Sequence, residues 1–377
     1  VKVIKAWRVS MHNDMRIVFN EYLDEIFEEG VISNGKLCRK LEDVVKTIHE
    51  KKYCIATSSG TSAIECLLQY YRDILGFDTV CVQGVGFISD WIIPERLGMR
   101  IIPVDIRKDL IIMDVDDLIK AIKENEVKKT VVMPVWLFGW YSREYEKMII
   151  DELTDKGIEF RILNDVAHCF GSAQKLCGDG ILSFASTKIV AAGEGGAIMT
   201  DDEEIDEWCR IAIDIGRIGK MCHVVGNNWK LSEFNAGFAL SQLRYYNSDT
   251  VKRKRVFDTY KKLINEEDLY VYDPSRENSN WTYNYYECPV ISRKILRHIF
   301  EEELMCGHNI EAWYSSVRYA VNEEEVWERL KNKVERNIDN ANWITKHVVC
   351  LPMHVGMDIK DAKRVADAVL KIYKKWW

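Results

Sequence analysis

The 377-residue chain is 47% hydrophobic and 29% charged, the balance of a globular protein with a large interior, and its length predicts two or three domains. A formal net charge of −7, with lysine and arginine dispersed through mixed runs such as "KENEVKK" and "EEEVWERLKNKVER", excludes the basic stripe expected of a nucleic-acid-binding protein. No apolar run approaches the ~18 residues of a membrane span, the start "VKVIKAWRVSMHND" lacks a signal-peptide core, and eleven cysteines without a C-x-x-C pair suit reduced thiols, so a cytoplasmic protein with neither membrane insertion nor a metal site is expected.

In chain order, "KLCRKLEDVVKTIHE" places Leu37, Leu41, Val44, Val45 and Ile48 at helical spacing. The apolar run "YCIAT" follows, then the polar turn "SSGTS", then Ile64, Leu67, Leu68 and Tyr71 at i, i+3, i+4 and i+7: strand, glycine turn, helix. The alternation continues through "TVCVQGV", a helix around Trp91 to Leu97, "RIIPVDI", a helix from Asp114 to Glu124, "TVVMPVWLFG", a helix from Ser142 to Lys156, and "FRILNDVA". Near-continuous apolar strands separated by helices predict an α/β fold with a mostly parallel sheet covered on both faces. The period breaks at "GILSFAS" and "GGAIMTD", which are too close for a helical crossover and predict a hairpin-like addition. From about residue 246 a long charged helix, the strand "YYECPVI", the helix "RKILRHIFEEELMCG", the strand "VVCLPMH" and a final helix follow. This division predicts a large domain over 1–245 and a smaller α/β domain over 246–377, with the N-terminal segment a candidate to pack on the smaller one.

The stretch "SFASTKIVAAGEGGAIMT" sets Lys188 between a run ending in hydroxyls and a glycine-rich turn. Asp165 stands at the end of "FRIL", on the side where open α/β sheets collect ligands. Pyridoxal phosphate asks four things of a protein: a lysine amine, a carboxylate for its pyridinium nitrogen, an anion cradle, and a flat group on the ring face. "SSGTS" at a helix N-terminus offers the cradle, with Gly60 allowing close approach, Thr61 donating a hydroxyl and Ser183 adding another. Phe87 in "VQGVGFISD" and His168 in "NDVAHCF" are the aromatic candidates for the ring. Taken singly, each has an ordinary structural reading as a helix cap, a turn residue or a core aromatic.

Together, "SNGKLCRKLEDVV", "SSGTSAIE", "GFISD", "PVDI", "PVWLFGW", "NDVAHCFGS", "SFASTK", "GEGGAIMTDD", "GNNWKLSEFNAGFALSQL" and "LPMHVGM" resemble, in order and over nearly the whole chain, the DegT/StrS sugar-nucleotide aminotransferases, fold type I pyridoxal-phosphate enzymes. The resemblance implies a seven-stranded, mostly parallel sheet flanked by helices and a smaller C-terminal α/β domain. It makes Lys188 the Schiff-base lysine and Asp165 the partner of the pyridine nitrogen, and it puts His168 near the ring hydroxyl. Gly60, Thr61 and Ser183 fall at phosphate contacts, and Phe87 at the stacking aromatic. Asn228 falls where the family sends an asparagine to the neighbouring subunit's phosphate, which implies a homodimer with shared sites.

Departures from the family pattern are Lys230 for an arginine, Ile189 for an asparagine, and "YSSVR" for Tyr-x-Pro-x-His. They leave Lys230, Tyr314 and Arg318 as candidate substrate contacts. The implied activity moves an amino group, from L-glutamate by resemblance, through pyridoxamine phosphate to a keto-sugar nucleotide in amino-sugar biosynthesis. Lys188 weighs against the family's dehydratase branch, which has histidine there. A lyase of the same fold and a non-catalytic regulator are the alternatives.

Overall fold

A computed structural model describes residues 3–107, 109–276, 279–312 and 317–376. The first strands are β1 (Tyr53–Thr57), β2 (Thr79–Gln83), β3 (Arg100–Val104), β4 (Lys129–Met133) and the two-residue β5 (Trp140–Tyr141). They are followed by β6 (Glu159–Asp165), β7 (Asp179–Ser183) and β8 (Gly196–Thr200). All but β5 join one seven-stranded sheet in the order β1-β8-β7-β6-β4-β2-β3. Pairing is parallel from β7 through β6, β4 and β2 to β3, whereas β8 runs antiparallel to both neighbours. The expected mostly parallel sheet is present. The expected hairpin-like addition needs correction: β7 and β8 pair antiparallel, but β8 lies inside the sheet, with β1 on its far side. Every residue of β8 is buried, so it needs cover on both faces, which an edge would not supply.

The first eight helices are α1 (Met15–Glu29), α2 (Lys36–His49), α3 (Gly60–Asp73), α4 (Ser89–Arg96), α5 (Val115–Glu124), α6 (Arg143–Asp155), α7 (Glu203–Ala212) and α8 (Glu233–Leu243). Their starts are chemically marked. The Asp114 carboxylate accepts from the N–H groups of Asp116 and Asp117, and the Ser142 hydroxyl accepts from Tyr145, so both residues read as helix starts in the sequence are N-caps. At α3, Ser59 and Ser62 satisfy each other's backbone in a capping box.

The later strands are β9 (Arg217–Ile218), β10 (Met221–Cys222), β11 (Leu269–Val271), β12 (Thr282–Tyr283), β13 (Cys288–Ser292) and β14 (Val348–Leu351). With α9 (Tyr246–Leu263), α10 (Arg297–His308), α11 (Asp339–His347) and α12 (Ile359–Trp376), the antiparallel sheet β11-β13-β14 makes a second layer structure, in which α12 packs on α9 and α10. Several ties join it to the elements of the large sheet and its connections. β12 pairs with β5, stacking Tyr283 on Trp140 at a ring separation of 3.9 Å. Residues 332–334 bond to Ile101 along the free side of β3, and the Arg336 guanidinium grips both oxygens of Asp117 at 2.9 Å. The N-terminal segment bonds to the C-terminal layers through Ile4, which bridges Ile310, and through Ala6, whose carbonyl accepts from Met353. No described helix is long and apolar enough to cross a membrane.

Candidate active site

The C-terminal ends of β1, β4, β6 and β7 open onto one cavity of about 380 Å³. Gly60, Thr61, Phe87, Asp165, His168, Ser183 and Lys188 all line it. They lie far apart in the chain, and the parallel sheet brings them together because each follows or ends a strand at the same edge.

The cradle is a helix end. Gly60 and Thr61 open α3, so their N–H groups precede the helical ladder. A Cβ at Gly60 would stand 3.1 Å from the Ser183 Cβ, and one at Gly196 would come within 2.4 Å of the Ser59 carbonyl. The two glycines therefore let the turn, β7 and β8 close around a space walled by backbone donors. The Thr61 hydroxyl pairs with that of Ser89 at 2.8 Å, and Ser183 Oγ accepts from the Ala185 N–H at 3.3 Å.

Lys188 rides on a loop pinned from three sides. Its N–H donates to the Ala185 carbonyl (2.9 Å), the Trp7 indole donates to the Thr187 carbonyl (3.0 Å), and the Ala191 N–H donates to Gln242 of α8 (2.9 Å). The amine lies 5.5 Å from the centre of the Tyr286 ring. Burial pushes the Lys188 amine below the ordinary lysine value, while the charges of Glu287, Asp165 and Asp90 pull it back up. Burial likewise raises the Asp165 carboxyl, opposed by the Ala167 N–H at 2.8 Å and by Lys188.

His168 packs on Tyr286 with ring centres 4.7 Å apart. Its Nδ1 accepts the Phe138 N–H at 3.1 Å, which leaves the proton of the neutral ring on Nε2. Burial, then the Lys188 charge, hold this imidazole well below its ordinary pKa, so it is neutral. Phe138 delivers that N–H from a left-handed backbone conformation, φ 63°, a strained turn at the cavity wall.

Three further cavity neighbours escaped sequence reasoning. Tyr286 and Glu287 line the cavity from the approach to β13, and Asp90 lies fully buried behind Phe87. A carboxylate inside an apolar strand run, as in "YYECPVI", is itself a signal, because buried acids without a purpose are rare. Asp90 is visible only as the last letter of "GFISD", where a helix-start aspartate attracts no notice.

The remaining candidates are at the cavity mouth or outside it. Phe87 is at the cavity mouth and half-exposed. Asn228 is exposed and outside the cavity, and Lys230 is ion-paired with Asp214 beside the end of β1. Arg318 is exposed, its carbonyl accepting from Arg297 at 2.9 Å, and Tyr314 lies outside the described residues. No group of three metal-ligating side chains occurs among the described residues.

A buried lysine amine facing carboxyl groups beside a helix end walled by backbone donors, on a mostly parallel α/β sheet, is an arrangement able to carry amine and carbonyl chemistry and to hold an anion. The family model of the DegT/DnrJ/EryC1/StrS aminotransferases matches residues 13–370, and the chain belongs to that family. It is 26% identical over 277 residues to GDP-perosamine synthase of Escherichia coli, covering 70% of this chain and 72% of that protein. It is 22% identical over 366 residues to UDP-4-amino-4,6-dideoxy-N-acetyl-beta-L-altrosamine transaminase of Campylobacter jejuni, covering 94% of each. Among solved structures, S. venezuelae DesV superposes with a TM-score of 0.86 at 19% identity, over 98% of both chains.

Proposed function

We propose that this chain moves an amino group from an amino acid, L-glutamate by family resemblance, to a keto-sugar nucleotide, with pyridoxal phosphate held in the cavity. The observation that carries the proposal is the meeting of the Lys188 amine, Asp165 and the start of α3 in one enclosed space. The residues fit the cofactor. Gly60, Thr61 and Ser183 would hold the phosphate where a Cβ at Gly60 or Gly196 would intrude. Asp165 would face the ring nitrogen, Phe87 and His168 would flank the ring, and Lys188 would hold the carbonyl carbon.

Bound there, pyridoxal phosphate supplies an electron sink for negative charge at the donor's α-carbon. The chain supplies the rest. Lys188, its amine pushed by burial below the ordinary lysine value, takes the α-proton in its free form and later returns one to the acceptor side. Asp165 keeps a negative charge against the ring nitrogen, and neutral His168 offers a proton donor at Nε2. The loop pinned by Trp7 and Gln242 fixes the direction from which Lys188 approaches, which sets the face of proton transfer.

The sugar-nucleotide class is supported by family membership and by relatives whose names carry GDP- and UDP-linked sugars. A second copy of the chain would complete the site. Asn228 is exposed on a segment carrying exposed Ile215, Ile218, Met221 and Val225, an apolar surface suited to burial against a partner. The test is absorption spectroscopy of purified protein with pyridoxal phosphate, before and after L-glutamate, beside Lys188→Ala. A cofactor band that glutamate bleaches in wild type alone is the expected outcome, and one indifferent to every amino donor would overturn amino transfer. For the shared site, mixing inactive Lys188→Ala with inactive Asn228→Ala should restore about a quarter of wild-type sites through mixed dimers. No recovery would remove the partner's role.

A further inference from the structure

Behind the cavity wall lies a second acid that the amino-transfer reading leaves unused. Asp90, in the first turn of α4, is 0% exposed, and its carboxyl is in hydrogen-bonding contact with that of Asp165. Its Oδ2 accepts the Phe87 N–H at 2.8 Å, while Oδ1 is buried and accepts from no N–H group. The turn wraps tightly on this group: a Cβ at Gly86 would stand 2.5 Å from Oδ2. One side chain thus joins the residue that would face the ring nitrogen to the residue that would cover the ring.

Two ionised carboxylates cannot rest in contact inside a buried site, so the pair must hold a proton. The groups facing Asp90 are Asp165 from β6, the Lys188 amine from the loop before β8, and the Phe87 N–H of its own turn. Asp165 has the Ala167 N–H and the nearby Lys188 to favour its charged form. Burial, followed by the charge of Asp165, raises Asp90 well above the carboxylate range.

We propose that Asp90 is a positioning residue that carries a proton and donates it as an O–H···O hydrogen bond to Asp165, orienting Asp165 toward the ring nitrogen as a singly charged acceptor. No bond to carbon forms or breaks, and the proton stays within the pair. The proposal rests on the amino-transfer reading for the identity of the ring, but the proton on Asp90 does not depend on it.

The test compares wild type with Asp90→Asn, which keeps a donor and an acceptor without an ionisable group, and Asp90→Ala, which keeps neither. In cofactor-free protein at neutral pH, the infrared difference between wild type and Asp90→Asn should contain a carboxylic-acid C=O stretch. A difference holding only carboxylate bands would overturn the protonated state. Fluorescence titration should give Asp90→Asn a pyridoxal phosphate affinity within about threefold of wild type, and Asp90→Ala one weaker by about ten- to a hundredfold, the scale of one hydrogen bond to a charged group. Equal weakening in both variants, or none in Asp90→Ala, would overturn the positioning role. Thermal melting identifies a variant that fails to fold, and Asp90→Asn keeps the comparison decisive if Asp90→Ala does so. Wild type that binds no pyridoxal phosphate would sink the amino-transfer reading and the ring-facing role with it, while the infrared result still decides where the proton lies.

Discussion

Glu287 and Gly196 illustrate how single residues set the chemistry of the cavity. The Glu287 carboxylate opposes the burial that lowers the Lys188 pKa. Removing its charge in Glu287→Gln lets burial act with less opposition, so the Lys188 pKa falls further. Because the working form is the free amine, the acid limb of the kcat–pH profile should move to lower pH, and a limb that moves up or stays would dismiss the interaction. At Gly196 the constraint is space. A methyl group there would lie 2.4 Å from the Ser59 backbone and 2.5 Å from the Gly60 nitrogen, neither of which is the yielding end of a flexible side chain. Gly196→Ala should therefore cost about 1–3 kcal/mol of stability by overpacking and weaken pyridoxal phosphate binding, read by thermal melting and fluorescence titration. Unchanged affinity would mean the cradle does not depend on this contact.

Among elements, the end of α2 and the loop after β6 depend on each other through His49. Its Nδ1–H donates to the Ala173 carbonyl at 2.6 Å, and its Nε2 accepts the Gly171 N–H at 3.3 Å, an arrangement available only to the neutral ring. Burial lowers its pKa to about 4, from an ordinary value of 6.5. The unfolded chain therefore takes up this proton first as pH falls. The stabilisation is complete above pH 6.5 and drains away toward pH 4, up to about 3 kcal/mol. Melting temperature should drop with pH across that window less steeply in His49→Gln than in wild type, and identical slopes would exclude His49 as the source. The same loop carries His168, so acid should loosen the cavity wall along with the fold. Periodicity made the βα alternation legible here, and the caps Asp114 and Ser142 marked two helix starts. Periodicity did not reveal α1 or α8, since α1 buries only Met15, Val18 and Ile26, and α8 is buried on several sides with no single apolar stripe.

Across the whole molecule, the C-terminal layers are fastened to the far edge of the large sheet. The Asp105 carboxylate accepts the N–H groups of Asn340 and Ala341 at the start of α11, and Arg336 clasps Asp117. Burial alone would raise Asp117, but Arg336 outweighs it and holds the carboxyl below its ordinary value. Arg336→Ala leaves that acid half-buried without its guanidinium, with only the Asp105 N–H still bonded to it, and should cost about 2–3 kcal/mol in a denaturant or thermal melt. Because β3 is at the other end of the sheet from β1, pyridoxal phosphate affinity should hardly change. A matching loss of affinity would show that the two layers are coupled through the cavity.

The sequence by itself determined the α/β class, the strands whose ends make the site, and the local chemistry of the cradle, because these follow from short-range periodicity, turn residues and ordered motifs. Seven candidates read from single motifs line one cavity for that reason: each occupies a strand end or the turn after it. Only the tertiary structure decided that β8 is internal, that Asp90 touches Asp165, and that Tyr286 and Glu287 reach Lys188 from the approach to β13. Those relations join residues distant in sequence, and what places them together is burial of large apolar faces, a non-directional force that leaves no signature in any single stretch of chain.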